Sequence, residues 1–430
     1  MKINKKLLVL LLFVFVASLL LCGCNLLSPQ KTVMDTIINE NGELVVIYSN
    51  GTSRNLGKMT VESSNNNNNI TPPSTDGNGS GGNDIIINTN GSSVAAASAK
   101  ASLSAVSVVA SSGDSSSAGS GVIYKYNARA NGYFIITNYH VVYNSSTRGI
   151  FKDIQVYLYG NEYAEGAIEA EYVGGSMNYD IAVLFVENND ILKSSSVMEV
   201  SVADSNNVSI GDTAIAVGNA RGEGISVTVG SISVDSENLE MLAADDKTTV
   251  VFRVMRTDAA VNRGNSGGGL YNDRGELIGI VNAKTIVDGV EGMGYAIPST
   301  LACNVADNII DNCFGMTNTS VKRALLGITV SISDSVAVYD SQTGKVTINE
   351  TVVVMEVTSS SIVSGKLKAD DVIKSITLNG KETQIVTRQH HVIDYMLQAR
   401  VGDTCTLVVE RNGVEKTFTF TITSSCIANY

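Results

Sequence analysis

Three regimes of apolar and polar positions follow one another along the chain. The first is an unbroken run of 15 apolar or small residues at 7–21, behind Lys2, Lys5 and Lys6. A membrane-spanning helix needs about 20 such residues, whereas the apolar core of a secretory signal is shorter. The second regime has little periodicity. Residues 43–49 read as one strand between the turn signals Asn41-Gly42 and Asn50-Gly51, at most a small β-element. Residues 62–82 carry five consecutive Asn, Pro72-Pro73 and many Gly and Ser. Such a composition cannot bury a core and reads as a flexible tether. Residues 92–120 are rich in Ser and Ala; 94–110 read as an ordered helix or strand and 111–119 as a loop.

The third regime begins at Gly121. Short runs rich in Val, Ile, Tyr and Thr, such as 132–142, 154–158, 180–186, 213–217, 249–254 and 276–281, alternate with Gly, Asn and Asp. Many short strands with turn punctuation predict an antiparallel β-barrel or sandwich. One helix stands out, with Ser299 or Thr300 as its cap and Leu301, Val305 and Ile309 four residues apart. It closes the β domain near Phe314, and a second folded region spans about 321–423. There Asn412-Gly413 predicts a hairpin that sets Cys405 opposite Phe420, out of reach of Cys426. Cys303 and Cys313 lie about 15 Å apart along one helix. All four read as free buried thiols.

Length and composition narrow the function. At 430 residues, the chain holds two or three domains, and a hydrophobic fraction of 44% supports real cores. With 30 Lys and Arg against 42 Asp and Glu, the net charge is −12. That balance argues against a nucleic-acid partner, which needs clustered cations. The apolar run ends in Leu21-Cys22-Gly23-Cys24, which resembles the bacterial lipobox. That resemblance implies a lipoprotein signal peptide at 1–23, a lipid on Cys24 and attachment to the outer face of a membrane. Loss of the three lysines takes the mature charge to −15.

The chain has only three His, and His140 is the only one in the large β domain. It ends an apolar strand in Thr-Asn-Tyr-His-Val-Val. Asp180 opens the buried run Asp-Ile-Ala-Val-Leu, well placed to be desolvated and held. Ser266 lies in Gly264-Asn265-Ser266-Gly267-Gly268-Gly269, where glycines suit a sharp loop with its amides aimed at a reacting oxygen. A serine hydroxyl is a weak nucleophile and needs a base within reach. His suits that role near neutral pH, and a buried Asp fixes its tautomer. The amides of Gly264 and Ser266 would form an oxyanion hole. The order His, Asp, Ser is that of the chymotrypsin-type double barrel, not of subtilisins or α/β-hydrolases.

The segments TNYHVV, DIAVL, AVGNARGEGISVTVGSIS, TDAAVNRGNSGGGL, GELIGIVNAK and GMGYAIPS, in that order, resemble the signatures of the HtrA/Deg serine proteases. The resemblance implies a mainly β protein: a double six-stranded antiparallel β-barrel protease domain at 96–316, then an α+β PDZ domain at 320–425. Residues 24–95 are then the small β-element and tether. The chain departs from the family in having Arg263 and Gly269 where Pro is common, which leaves the oxyanion loop more adaptable at rest. In relatives that cut after Lys or Arg, an acid lies six residues before the nucleophile. Here that position is Ala260, and Ile280, Val281 and Asn282 would form the opposite wall. An apolar S1 pocket of modest size follows, suited to small or medium aliphatic residues.

The C-terminal region looks like a PDZ domain, on Leu-Lys-Ala-Asp-Asp-Val-Ile (367–373) and Leu-Asn-Gly-Lys (378–381). Leu325, Leu326, Gly327 and Ile328 match the loop whose amides hold a peptide's terminal carboxylate, and the following strand would pair the peptide. His390 and His391 are adjacent, so on a helix they point about 100° apart and suit a surface or groove-lining place better than a metal. The resemblance implies unfolded or exported proteins as substrates, peptide C-termini at the PDZ domain, a homo-trimer, and no metal or cofactor. The competing reading keeps the fold as a non-catalytic or conditionally active peptide sensor or holdase.

Overall fold

The computed structural model describes the backbone of residues 33–38, 43–48, 53–62 and 85–88, and residues 94–430 apart from 162–165 and 286–292. The expected signal peptide at 1–23, Cys24 and most of the expected tether lie outside the described residues. Two compact units divide at Gly91 and Ser92.

The first unit contains more β-structure than the single strand expected. Val33–Ile38, Glu43–Tyr48 and Ser53–Glu62 pair antiparallel in sequence order, and Ile85–Asn88 joins Ser53–Glu62 in parallel. In sequence, both Asn-Gly dipeptides fall between successive antiparallel strands. The fourth strand lies just beyond the expected tether at 62–82. Three successive isoleucines form a β-branched run that polar neighbours do not cancel.

The second unit opens with the helix Val94–Ser102, whose Ala97 and Ala101 are buried. A seven-stranded antiparallel sheet follows, in the order Ile168–Glu169, Asp153–Leu158, Ala105–Ser112, Ser115–Asn127, Gly132–Thr137, Ile181–Glu187, Glu171–Ser176. Its two edge strands are separated by one residue, so chain continuity closes the curl. The expected loop at 111–119 is a correction. Ser115–Asn127 is one strand, whose residues 115–122 pair one by one with Ala105–Ser112. Cross-strand pairing outweighs the weak β-preference of its serines.

Six further strands close a second barrel: Thr213–Gly218, Ser226–Leu242, Thr249–Thr257, Gly294–Pro298, Leu277–Val281 and Gly269–Tyr271. The helix Ser299–Cys313 packs Leu301, Val305 and Ile309 into a core drawn from both barrels. Its N-cap is Pro298, which corrects the expected capping by Ser299 or Thr300. Those hydroxyls instead bond the Ala203 carbonyl and the Asp204 carboxylate.

The last module is a sheet of Ile328–Asp340, Lys345–Val357, Val372–Leu378, Thr404–Arg411 and Val414–Thr421, with Gln384–Ile385 beside it and the helix Gln389–Tyr395 packed near. Cys405 faces Phe420 across the predicted hairpin. Lys322–Ala324 pairs with Ile427–Asn429, which carries the module past residue 425. Cys303, Cys313, Cys405 and Cys426 are free and buried. No helix among the described residues is long and apolar enough to cross a membrane.

Candidate active site

The strand Gly132–Thr137 runs directly into a short helical turn, Tyr139–Val142, which lifts His140 out of the first sheet. Asp180 precedes the neighbouring strand Ile181–Glu187. It holds φ +49°, unusual for a residue with a side chain. Backbone strain of this kind persists only where surroundings hold it, and it clusters at working sites. What holds it is visible. The Asp180 carbonyl accepts hydrogen bonds from Tyr139 N (3.2 Å) and Asn138 Nδ2 (2.9 Å).

The Asp180 carboxylate then grips His140 twice. Oδ1 accepts from the His140 amide at 2.9 Å, and Oδ2 lies 2.7 Å from ring Nδ1. A third bond comes from the second barrel, where Asn282 Nδ2 donates to Oδ2 at 2.9 Å. With Nδ1–H given to the carboxylate, Nε2 is left as the basic nitrogen.

Ser266 sits on the other side of the seam. Ala283 N donates to its Oγ at 3.2 Å, so adjacent residues of one segment hold the carboxylate and the hydroxyl. The Ser266 carbonyl accepts from Ser120 N at 2.7 Å. A Cβ on Gly267 would fall 3.0 Å from Asn138 N and 2.4 Å from Thr137 Oγ1. The serine loop therefore packs directly on the turn that carries His140. No hydrogen bond among the described residues joins the Ser266 hydroxyl to the His140 ring. The contact from Ala283 uses a lone pair on Oγ and leaves the hydroxyl proton to give.

Around Ser266, Gly264 has φ +98°, and a Cβ there would sit 2.2 Å from the Asn219 carbonyl oxygen. Only glycine fits. The Arg263 carbonyl is turned to Arg221 N at 2.8 Å and the Gly264 carbonyl to Ser120 Oγ at 2.7 Å. The Gly264 and Ser266 amides give no hydrogen bond to a protein acceptor among the described residues. They remain able to bind an oxygen anion.

The expected S1 residues do not gather as a pocket. Ala260 is exposed, while Ile280 and Val281 are fully buried. Ile280 packs under the helix Ser299–Cys313, and Val281 points into the second barrel with Met255 and Ala259. Asn282 is turned to Asp180. Strand alternation sends consecutive side chains to opposite faces, so three in a row cannot line one wall. Asn138, Ser120 and Ala283 are contributors that motif reading passes over. Asn138 was legible as a lone amide ending a buried apolar strand, whereas the other two act through small or backbone groups that leave no pattern.

In the C-terminal module, Leu325 is exposed and its amide is spent on the Cys426 carbonyl at 2.7 Å, which removes it from an anion cradle. Leu326 is buried in the module's core. Gly327 has φ +71° and leads into Ile328, the first residue of an edge strand. Gln389 Nε2 donates to the Val330 carbonyl at 2.9 Å, tying that edge to the helix beside it.

Of the two places expected for His390 and His391, surface or groove, the structure gives the groove, with His391 buried and His390 half-buried. Both line the seam toward the second barrel, beside Asp235 and Arg388. Burial drives both rings below their ordinary value, His391 to about 4. In the same seam Arg253 donates to Asp394 at 2.5 Å with both side chains over nine-tenths buried. Burial pushes the Asp394 carboxyl up, and Arg253 opposes that rise. No group of three His, Cys, Asp or Glu side chains suited to a metal occurs among the described residues.

Residues 119–280 match the model described as a trypsin-like peptidase domain, and 324–422 match the PDZ domain model. The Serine protease Do-like HtrA of Lactococcus lactis subsp. lactis (strain IL1403) is 31% identical over 312 residues, covering 70% of this chain and 69% of the relative. The chain belongs to the HtrA family of serine proteases. The Serine protease Do-like HtrA of Bacillus subtilis (strain 168) is 32% identical over 316 residues, and the match spans 62% of that relative's length. Among solved structures, "HtrA-type protease AlgW with tripeptide" superposes with a TM-score of 0.50 at 27% identity, covering 77% of this chain and 97% of that one. The architecture is accordingly that of HtrA proteases: a chymotrypsin-like β domain, then a PDZ domain.

Proposed function

We propose that the chain is an extracytoplasmic serine endopeptidase that cleaves unfolded or exported proteins, with Ser266 as nucleophile, His140 as general base and Asp180 as the group that orients the imidazole. The amides of Gly264 and Ser266 receive the oxyanion. One observation carries this reading: the Asn282–Ala283 segment reaches from the Asp180 carboxylate, already bonded to His140 Nδ1, to the Ser266 hydroxyl. In the reaction His140 Nε2 takes the Ser266 proton as Oγ attacks the peptide carbonyl. It then returns that proton to the leaving amine, while Asp180 stabilises the imidazolium between the two transfers. The PDZ domain binds peptide C-termini through the loop around Gly327, and a lipid on Cys24 holds the protein to the membrane as a homo-trimer. With the expected S1 residues turned elsewhere, an aliphatic preference at S1 rests on the sequence alone.

A fluorophosphonate probe tests the assignment. Labelling that disappears in Ser266→Ala supports it; an unlabelled wild-type protein under every added peptide refutes it. The Ser266 hydroxyl rests on Ala283 N rather than on His140, which favours a second form of the reading, a conditionally active enzyme. In that case labelling rises several-fold when peptides with free apolar C-termini are added, and amidated versions have no effect.

A further inference from the structure

The nucleophile loop lacks the prolines that would stiffen it, yet its carbonyls point in definite directions. One side chain accounts for much of this. Ser120, fully buried in the strand Ser115–Asn127 of the first barrel, uses every hydrogen-bonding group it has on neighbours of the reaction centre. Its amide donates to the Ser266 carbonyl at 2.7 Å, and its own carbonyl accepts from Thr137 Oγ1 at 2.7 Å. Its hydroxyl donates to the Gly264 carbonyl at 2.7 Å and accepts from Asn219 N at 2.8 Å. The two residues whose amides face the oxyanion are thus the two whose carbonyls Ser120 holds. The site is also closed around this hydroxyl. A Cβ on Gly218 would lie 2.8 Å from Ser120 Oγ, and one on Gly268 would lie 3.2 Å from Ser120 Cβ.

We propose that Ser120 is a positioning residue for the oxyanion loop, holding from across the seam between the barrels the peptide planes that flank the Gly264 and Ser266 amides. This rests on the proteolytic reading of the site. A peptide plane is rigid, so anchoring the Gly264 carbonyl fixes the plane between Gly264 and Asn265. The plane before it, which carries the Gly264 amide, is fixed by the Arg263 carbonyl bonded to Arg221 N, and the plane that carries the Ser266 amide lies between the two that Ser120 anchors. Loss of the Ser120 hydroxyl frees the first plane and leaves the half-buried Gly264 carbonyl and the buried Asn219 amide without that partner. Misplacing a reacting group by about 1 Å costs on the order of a hundredfold in rate.

Two measurements on the full chain test this. In the Ser266→Ala background, hydrogen–deuterium exchange at the Asn219 amide should speed up at least about tenfold on Ser120→Ala, with strands remote from the seam unchanged. With Ser266 present, Ser120→Ala should lower kcat on an unfolded casein or quenched peptide substrate by roughly ten- to a hundredfold, with KM within about twofold. Ser120→Cys, close in size but a weaker donor, should fall between the two and guards against a folding failure. A kcat within about twofold of wild type in both variants, or unchanged exchange at Asn219, overturns the proposal. A purely structural role predicts a lower thermal midpoint with unchanged kcat per folded molecule. If wild type is inert while exchange at Asn219 responds as stated, the proteolytic reading falls and the clamp stands.

Discussion

Replacing His391 by glutamine should flatten the acid limb of the protein's stability profile. Burial is the main influence on this ring and lowers it from 6.5 to about 4; Arg253 and Arg388 add to the lowering, while the Ile385 carbonyl and Asp204 oppose it. The unfolded chain takes up a proton here near pH 6.5, whereas the folded protein resists it until about pH 4. The unfolded state therefore binds more protons between those values, and stability falls as pH drops through them. Above about pH 6.5 the ring is neutral in both states and the full stability is present. Each pH unit in the window is worth about 1.4 kcal/mol, so about 3 kcal/mol is lost by pH 4. The assay is urea unfolding of the Ser266→Ala protein from about pH 4 to about pH 8, with and without His391→Gln. The variant should lose about 3 kcal/mol less than its parent on acidification. His390 is lowered in the same direction, again by burial first, so a residual slope should persist and shrink further in the double variant. Parallel curves for parent and His391→Gln would refute the reasoning, because no proton uptake would then be linked to that ring.

Two further outcomes follow from close contacts. Gly264→Ala places a methyl 2.2 Å from the Asn219 carbonyl at a φ of +98°, so fluorophosphonate labelling should slow by about a hundredfold or more; labelling at the wild-type rate would show that the loop tolerates a side chain. Asp394→Ala strands the buried Arg253 cation and should cost about 3–5 kcal/mol in urea unfolding, whereas Arg253→Met with Asp394→Leu should recover most of it.

The architecture was readable because its strands are short, β-branched and separated by turn residues. The chemical groups were readable because Ser266 and Asp180 stand in distinctive surroundings and His140 has no rival in its domain. What escaped notice depends on distance in three dimensions. Ser115–Ser117 look like loop until the strand Ala105–Ser112 pairs with them. Ile280, Val281 and Asn282 form one stretch of sequence, yet alternation sends the first two to the helix and the barrel interior, and Asn282, just past the strand end, turns to Asp180. His390 and His391 read as surface or groove-lining residues, and nothing in their own segment says which; the seam with the second barrel decides it. Ser120 is one serine among many until its four bonds are seen together.

The seam between the two domains has a mechanical consequence. Its ties differ in how far water reaches them. Lys345–Asp212, near the end of the long hairpin, is about a third exposed; Arg388–Asp235 is more sheltered, and Arg253–Asp394 is almost dry. Dissolved ions weaken exposed attractions first and barely touch enclosed ones. Rising ionic strength should thus weaken Lys345–Asp212 and the similarly exposed Arg400–Asp311 pair first, so that the PDZ module loosens at its margins while the Arg253–Asp394 centre still holds.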